Sequence, residues 1–189
     1  MISTRHRVGA IGVSVMIAAG MSMNGALQGS QEPKNDTSQL RSQLLFTIHI
    51  TLHPIQEVGV TPLGQRRIYP VSGGKFEGSR LRGTILPEAG GDWLLMRSDG
   101  VFQQDVRMTL QTDDGGLIYM SYRGVRHASP DVSAKLARGE AVDPSEYYLR
   151  IAPFFETAAP QHAWINNIVA VGVGERLPNG VIYKVFEVL

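Results

Sequence analysis

The chain has 189 residues, of which 43% are hydrophobic and 19% charged, so it can form one domain with a real core. Its 21 glycines and 10 prolines favour many short strands joined by turns over a helical bundle. The net charge is +1, and no basic stripe with interleaved aromatic residues is present, which argues against a nucleic-acid partner. The absence of cysteine excludes disulfides, thiolate metal sites, a cysteine nucleophile and a lipoprotein anchor.

Residues 1–26 predict a secretory signal peptide. Arg5 and Arg7 form a short basic region, and an uncharged apolar run follows at residues 8–20. Because a bilayer span needs ~20 apolar residues, this run favours cleavage over an uncleaved anchor. Cleavage would take two of the 18 basic residues, leaving 16 against 17 acidic residues, a net charge of −1. We expect a periplasmic or secreted protein with no membrane contact after cleavage, a flexible leader at 27–43 and a domain at 44–189.

The domain is predicted to be all-β. Residues 44–52 alternate apolar and polar side chains, and similar strand patterns follow at 65–71, 75–86, 92–97, 101–112, 117–124, 146–153, 154–157, 163–173 and 181–189. Asp99-Gly100 and Asp114-Gly115 predict two successive hairpins. Residues 130–139 fit either one short helix or a loop over a barrel mouth. We favour a single antiparallel barrel of about 8–10 strands, because pairing the long apolar terminal strands removes exposed edges.

Seven short motifs follow one another along this domain. They are Gly73-Gly74-Lys75-Phe76-Glu77-Gly78, Gly90-Gly91-Asp92-Trp93, Asp99-Gly100 leading to Asp105-Val106-Arg107, Thr112-Asp113-Asp114-Gly115, Tyr122-Arg123-Gly124, Phe155-Glu156-Thr157 and Trp164-Ile165-Asn166. Together they resemble the family called domain of unknown function 3237, over residues 44–189. The resemblance implies a small barrel related in shape to calycin-like and allene-oxide-cyclase-like barrels, without a general catalytic mechanism. Glu88-Ala89 depart from the glycine run typical of the family, which affects one turn.

The polar face of the strand at 101–112 is the first candidate for chemistry. Asp105, Arg107, Thr109 and Gln111 share one face, and Val106, Met108 and Leu110 share the other. The polar face is either a solvated outer surface or the lining of a lumen that holds one small ligand.

In the lumen interpretation, Asp105, Arg107 and Glu156 are the catalytic candidates, because a buried carboxyl can act as a general acid or base and an arginine can hold an anion. The candidate ligand-binding residues are Trp93, Tyr122, Arg150, Trp164 and Asn166. The structural alternatives are an Arg107–Glu156 or Arg150–Glu156 ion pair and aromatic residues that belong to the core.

Other common types of active site find no support in the sequence. The histidines show no HxH or HExxH spacing, so we expect no metal. No GxSxG elbow or phosphate-binding loop is present, and no cofactor is expected.

Three functions stay open at this point. The first is an exported barrel that acts on a small organic ligand, by isomerase, cyclase or lyase chemistry if it is catalytic. The second is a carrier, and the third is a structural or interaction module with a packed barrel. Homo-oligomerisation through a barrel face is also open.

Overall fold

The structure is a computed structural model, and it describes residues 39–189. Within this range the chain forms ten strands, one α-helix and two 3₁₀ helices. The strands are β1 (Ser42–Leu52), β2 (Gln56–Thr61), β3 (Gly64–Glu77), β4 (Arg82–Ile85), β5 (Gly91–Met96), β6 (Phe102–Thr112), β7 (Leu117–Ala128), β8 (Tyr147–Glu156), β9 (Ala170–Leu177) and β10 (Gly180–Val188). The α-helix, α1, spans Pro130–Ala137, and the 3₁₀ helices span Pro144–Glu146 and Pro160–Asn167.

The sheet closes into an eight-stranded antiparallel barrel. Its order runs β1-β10-β9-β8-β7-β6-β4-β3, and β3 pairs again with β1 to complete the ring. β4 and β5 share one position, since both lie between β3 and β6. β2 extends from the ring as a hairpin with the first half of β3. The antiparallel barrel predicted from the sequence is therefore confirmed, and closure leaves β1 and β10 without free edges.

Alternation along each strand separates the lumen from the outer surface. On β8, Leu149, Ile151 and Phe155 are buried, whereas Tyr148 and Phe154 are exposed. The same period of two holds along β6, β7 and β10.

One half of the lumen is packed with apolar side chains. Phe46 lies at its centre, with ring centroids 5.6 Å from Phe76 and 5.9 Å from Phe155. Leu110 and Ile118 are fully buried beside them. At the opposite end, the first residues of β6 and the last of β7 and β9 surround an open space. The third alternative, a barrel packed throughout, does not describe this end of the molecule.

Two predicted connections are confirmed. The turns at Asp99-Gly100 and Asp114-Gly115 join β5 to β6 and β6 to β7. The segment predicted as helix or loop forms α1, whose N-cap Ser129 accepts a hydrogen bond from the amide of Val132. Ser133, Leu136 and Ala137 of α1 line the open end of the barrel. Among the described residues, no helix has the length and apolar character needed to cross a membrane.

Other predictions need correction or lie outside the described range. Residues 160–167 form a 3₁₀ helix where the sequence predicted the start of a strand. This helix is fixed by His162, which is hydrogen bonded to Asp114 at 3.0 Å, and by Trp164, which lies 3.6 Å under the Arg80 guanidinium. The strand predicted at 65–71 and the first part of the one predicted at 75–86 are a single long strand, β3. The predicted signal peptide at 1–26 and most of the leader at 27–43 fall outside the described residues.

Candidate functional site

The open end of the barrel holds a cavity of about 660 Å³. Its wall is built from every strand except β4, with α1 beside it. Ile50, Val71, Met108 and Val181 supply apolar surface, and a group of polar side chains lines the same cavity. This size lies within the range of ligand pockets, which mix an apolar wall with a few convergent polar groups.

Asp92 is the carboxyl at the centre of this polar group. It is the second residue of β5, and its Oδ1 accepts a hydrogen bond of 3.1 Å from the amide of Asp105. Burial raises the pKa of Asp92 to about 6, although the Asp105 amide and the Gln104 side chain, both hydrogen bonded to the carboxyl, oppose the shift. The Asp92 carboxyl therefore titrates close to neutral pH, whereas an exposed aspartate titrates near pH 4.

The position of Asp92 depends on the glycines before it. A Cβ at Gly90 would collide with the Arg107 carbonyl oxygen, so only glycine lets this segment approach β6 so closely. Glu88, two residues earlier, has φ +58°, a left-handed conformation that glycine adopts more readily. The glycine run that the family resemblance implies for this turn would adopt this conformation more readily than Glu88 does.

Gln104 and two tyrosines form a row next to Asp92. The Gln104 Nε2 donates a hydrogen bond to the Tyr183 hydroxyl at 2.8 Å, and the Tyr183 ring packs edge-on against the Tyr122 ring, with centroids 5.6 Å apart. Burial raises the pKa of Tyr183 to about 12 and that of Tyr122 well above its usual range. Both phenols therefore stay neutral, as hydrogen-bonding groups rather than bases. The Oε1 of Gln104 is buried and has no hydrogen-bond partner among the described residues.

Inward-facing glycines make room for this row. A Cβ at Gly124 would collide with the Gln104 Oε1, and a Cβ at Gly174 would lie 2.5 Å from both the Tyr183 ring and Leu149. Both positions are buried, where a strand of this barrel would otherwise carry a large side chain. The two glycines thus set the positions of Gln104 and Tyr183.

Two arginines add positive charge to the same cavity. Arg126, near the end of β7, lies 3.9 Å over the Phe102 ring, and Arg176, near the end of β9, donates to the Gly180 carbonyl oxygen at 3.4 Å. Burial, and then the charge of Arg176, lower the pKa of Arg126 to about 10, which leaves it charged at neutral pH. The charge of Arg176 also favours the ionised form of Asp92.

Two further polar contacts lie at the cavity, each involving a residue that lines it. Arg67 forms an ion pair with Glu57 at 3.0 Å, and the His53 Nε2 is hydrogen bonded to the Glu88 Oε1 at 2.7 Å. Within residues 39–189, no three His, Asp or Glu side chains are grouped so that they could hold a metal ion.

The structure places most of the site predicted from the sequence on the outer surface. Asp105 forms ion pairs with Arg107 at 3.0 Å and with Arg123 at 2.9 Å, all three on the outer face of the barrel. The Arg107 guanidinium also lies 5.6 Å from the exposed Trp93 ring. The lumen interpretation of this strand face was therefore wrong, because Val106, Met108 and Leu110 occupy the inner face.

The remaining predicted residues are also dispersed, apart from Tyr122. Arg150 lies 4.9 Å from the Tyr148 ring on the outer face, and Glu156 is exposed. Trp164 stacks under Arg80 at the end of the barrel opposite the cavity, and Asn166 is hydrogen bonded to both backbone groups of Thr157. Among residues 39–189, Glu156 forms neither of the two alternative ion pairs, with Arg107 or with Arg150, and Arg107 pairs with Asp105 instead. Tyr122 alone of the predicted set lines the cavity.

Sequence reasoning missed the polar residues that do meet in the cavity. They are Asp92, Gln104, Arg126 and Arg176, and the fully buried Tyr183 is hydrogen bonded to Gln104. A signal existed for Gln104, because it shares the apolar face of β6 with Val106 and Met108. Asp92 stood in one of the seven motifs but was not singled out. Arg126 and Arg176 lie near strand ends, where a charged side chain is usually exposed to solvent. Their positions in the sequence therefore give no signal of a cavity.

These features define a closed antiparallel barrel with a polar cavity at one end. The chain belongs to the family described as "Protein of unknown function (DUF3237)", whose model matches residues 40–188. The resemblance found in the sequence motifs is thereby confirmed. Curated relatives are UPF0311 proteins. The one from Rhodopseudomonas palustris is 33% identical over 81% of this chain and 99% of its own length. The one from Clostridium acetobutylicum is 32% identical over 79% of this chain and 95% of its own length.

Solved structures share the fold. The R. palustris protein of unknown function superimposes with a TM-score of 0.75 at 32% identity, over 80% of this chain and 98% of that one. A β-barrel-like protein from Acinetobacter baumannii has a TM-score of 0.71 at 39% identity, over 82% of this chain and 100% of that one. An enzyme from Penicillium herquei has a TM-score of 0.59 at 20% identity, over 79% of this chain and 95% of that one. This likeness concerns the fold alone.

Proposed function

We propose that this protein is an acid–base enzyme that needs no cofactor and acts on a small organic molecule bound in the barrel cavity. One observation carries the proposal. Asp92 is a mostly buried carboxyl in the wall of a 660 Å³ cavity, and its pKa lies near 6. A general acid or base works best when its pKa is close to the working pH, and buried carboxyls with such pKa values concentrate at functional sites.

The proposed chemistry is a proton transfer of the isomerase, cyclase or lyase type. The Asp92 carboxylate removes a proton from the substrate, and the electron pair left behind moves onto a neighbouring oxygen. The neutral tyrosine and glutamine groups beside it are suited to stabilise that oxygen by hydrogen bonds. Asp92 then returns the proton to a different atom in an isomerisation, or to a leaving group in an elimination.

A carrier protein is the second candidate. The apolar wall, which includes Ile50, Val71 and Met108, would retain an organic ligand without any reaction. In that case Asp92 would serve only to orient the ligand by a hydrogen bond.

Proton exchange with solvent tests the catalytic proposal without knowledge of the substrate. The protein would be incubated in D₂O with a panel of keto acids, hydroxy acids, enones and phenols, and loss of carbon-bound protons followed by ¹H NMR. We expect accelerated exchange for at least one compound class, and a roughly 10²–10⁴-fold loss of that rate in Asp92→Asn. The matched control Asp113→Asn, in an exposed turn, should keep the full rate. Wild-type rates in Asp92→Asn would contradict the proposal, and binding without exchange would favour the carrier.

The working compartment is part of the proposal. We infer an exported protein, and the basic residues Arg5 and Arg7 with the apolar run at 8–20 support this inference. Amino-terminal sequencing of the protein from a periplasmic extract should give a start between residues 20 and 27. An intact amino terminus in a cytoplasmic fraction would contradict it.

A further inference from the structure

The cavity wall carries more positive than negative charge. Three arginines line it, Arg67, Arg126 and Arg176, against the two carboxyls Glu57 and Asp92. Arg67 and Glu57 pair with each other at 3.0 Å. The Arg126 and Arg176 guanidinium groups therefore remain for the single carboxyl of Asp92. The excess of positive charge in the cavity becomes larger whenever Asp92 is protonated.

Neither Arg126 nor Arg176 has a carboxylate within ion-pair distance among residues 39–189. Arg126 is instead stacked on Phe102, and Arg176 donates to a backbone carbonyl. Both guanidinium groups line the same cavity, and the charge of Arg176 lowers the pKa of Arg126. Like charges that share a partly buried site are normally compensated by an anion, and here the anion would have to come from outside the described residues.

The rest of the wall restricts which anion fits. Apolar surface also lines the cavity, supplied by Ile50, Val71, Leu94 and Val181. A small inorganic ion would leave this apolar surface without a contact. A planar carboxylate or similar oxyanion matches the paired N–H groups of a guanidinium.

We propose that Arg126 and Arg176 bind the anionic head of an organic acid whose apolar body occupies the cavity. This inference rests on the proposed function, since it names the substrate class of the same site. The head lies at the barrel mouth beside the two guanidinium groups, and the body reaches toward Met108 and the packed half of the lumen. Asp92 and Gln104, in the same wall, then face the part of the ligand nearest the head.

A pair of fluorescent probes separates the charge from the apolar body. 8-Anilinonaphthalene-1-sulfonate carries an anionic head on two aromatic ring systems, and N-phenyl-1-naphthylamine is the same body without the sulfonate. We expect the folded protein to bind one anionic probe per chain, more tightly than the neutral probe. Arg126→Gln and Arg176→Gln should each weaken binding of the anionic probe roughly tenfold or more, because each substitution removes a charged hydrogen-bond donor. Binding of the neutral probe should change less than about twofold, since the apolar wall is unaltered.

Two further variants serve as controls. Arg82→Gln removes one positive charge from the exposed outer face of β4 and should leave both probes unaffected. Arg126→Lys keeps the charge in the cavity and should retain more of the anionic-probe affinity than Arg126→Gln. Unchanged affinity for the anionic probe in both glutamine variants would overturn the inference. An equal loss of affinity for the anionic and the neutral probe would overturn it as well.

Failure of this inference and failure of the proposed function give different results. Neither probe undergoes proton transfer, so probe binding does not depend on whether Asp92 is a catalyst. Asp92→Asn should bind the anionic probe at least as tightly as the natural protein, because it removes a negative charge from the cavity. Loss of proton exchange in Asp92→Asn together with unchanged probe binding in the arginine variants would leave the catalytic proposal standing and remove the organic-acid assignment.

Discussion

Asp92→Asn should raise the melting temperature of the protein by roughly 5–10 °C at pH 8 and leave it nearly unchanged near pH 4. The pKa of Asp92 is about 6 in the folded protein against 3.8 for an ordinary aspartate, because burial disfavours the charged carboxylate. Above pH 6 the folded state therefore holds a charge that the unfolded chain accommodates better. Two pKa units correspond to a cost of about 2–3 kcal/mol.

The sign of the pH dependence follows from the same values. As pH falls from 7 to 4, Asp92 takes up its proton in the folded state first, so this group makes the natural protein more stable. Asparagine cannot ionise, so the variant should lose this pH-dependent contribution to stability. Thermal melts at pH 4, 6 and 8 provide the measurement, with Asp113→Asn as control. A variant less stable than the natural protein at pH 8, or a gain independent of pH, would contradict this account of Asp92.

Phe155→Ala should destabilise the barrel by about 3–5 kcal/mol, which lowers the melting temperature by roughly 10–15 °C. Phe155 is 5% exposed, and its ring packs edge-on against Phe46 at 5.9 Å in the filled half of the lumen. Removing the ring leaves a hole that the closed sheet cannot fill by collapsing, since every strand around it is paired on both sides.

The neighbouring residue provides a matched control for Phe155. Phe154 is the same residue type one position earlier on β8, and it is 59% exposed on the outer surface. Phe154→Ala should therefore change the free energy of unfolding by no more than about 0.5 kcal/mol. Urea unfolding of the two variants tests the register of β8, and hence which side chains face the cavity. A larger effect from Phe154 than from Phe155 would mean that the inner and outer faces are exchanged.

The fold could be predicted from the sequence because its signals are local. Period-two alternation in the first strand and the Asp-Gly turns predict antiparallel hairpins, and the apolar terminal strands predict closure. The 3₁₀ helix at Pro160–Asn167 could not be predicted in this way. It is held by Arg80 and Asp114, which are distant from it in sequence, while its own residues show a strand-like pattern.

The site was harder to predict because it depends on strand register and on close backbone approach. Asp105 and Arg107 form a charged row along one strand, and the strand turns that row outward. Gln104, one position away, faces inward because Gly124 on the next strand leaves room for its amide. Asp92 and Arg176 come from strands far apart in sequence, so no spacing within the chain connects them. Only the closed barrel brings them to one cavity.

The central claim is that Asp92 is a proton-exchanging carboxyl in the barrel cavity. A ¹³C NMR titration of the protein with labelled aspartate carboxyls tests this claim most directly, and the Asp92 signal is identified by its loss in Asp92→Asn. We predict a titration midpoint of about 6, set by burial against the hydrogen bonds from the Asp105 amide and the Gln104 side chain. A midpoint below 4, the value of an exposed aspartate, would show that Asp92 is fully ionised at neutral pH and would contradict the acid–base account of this protein.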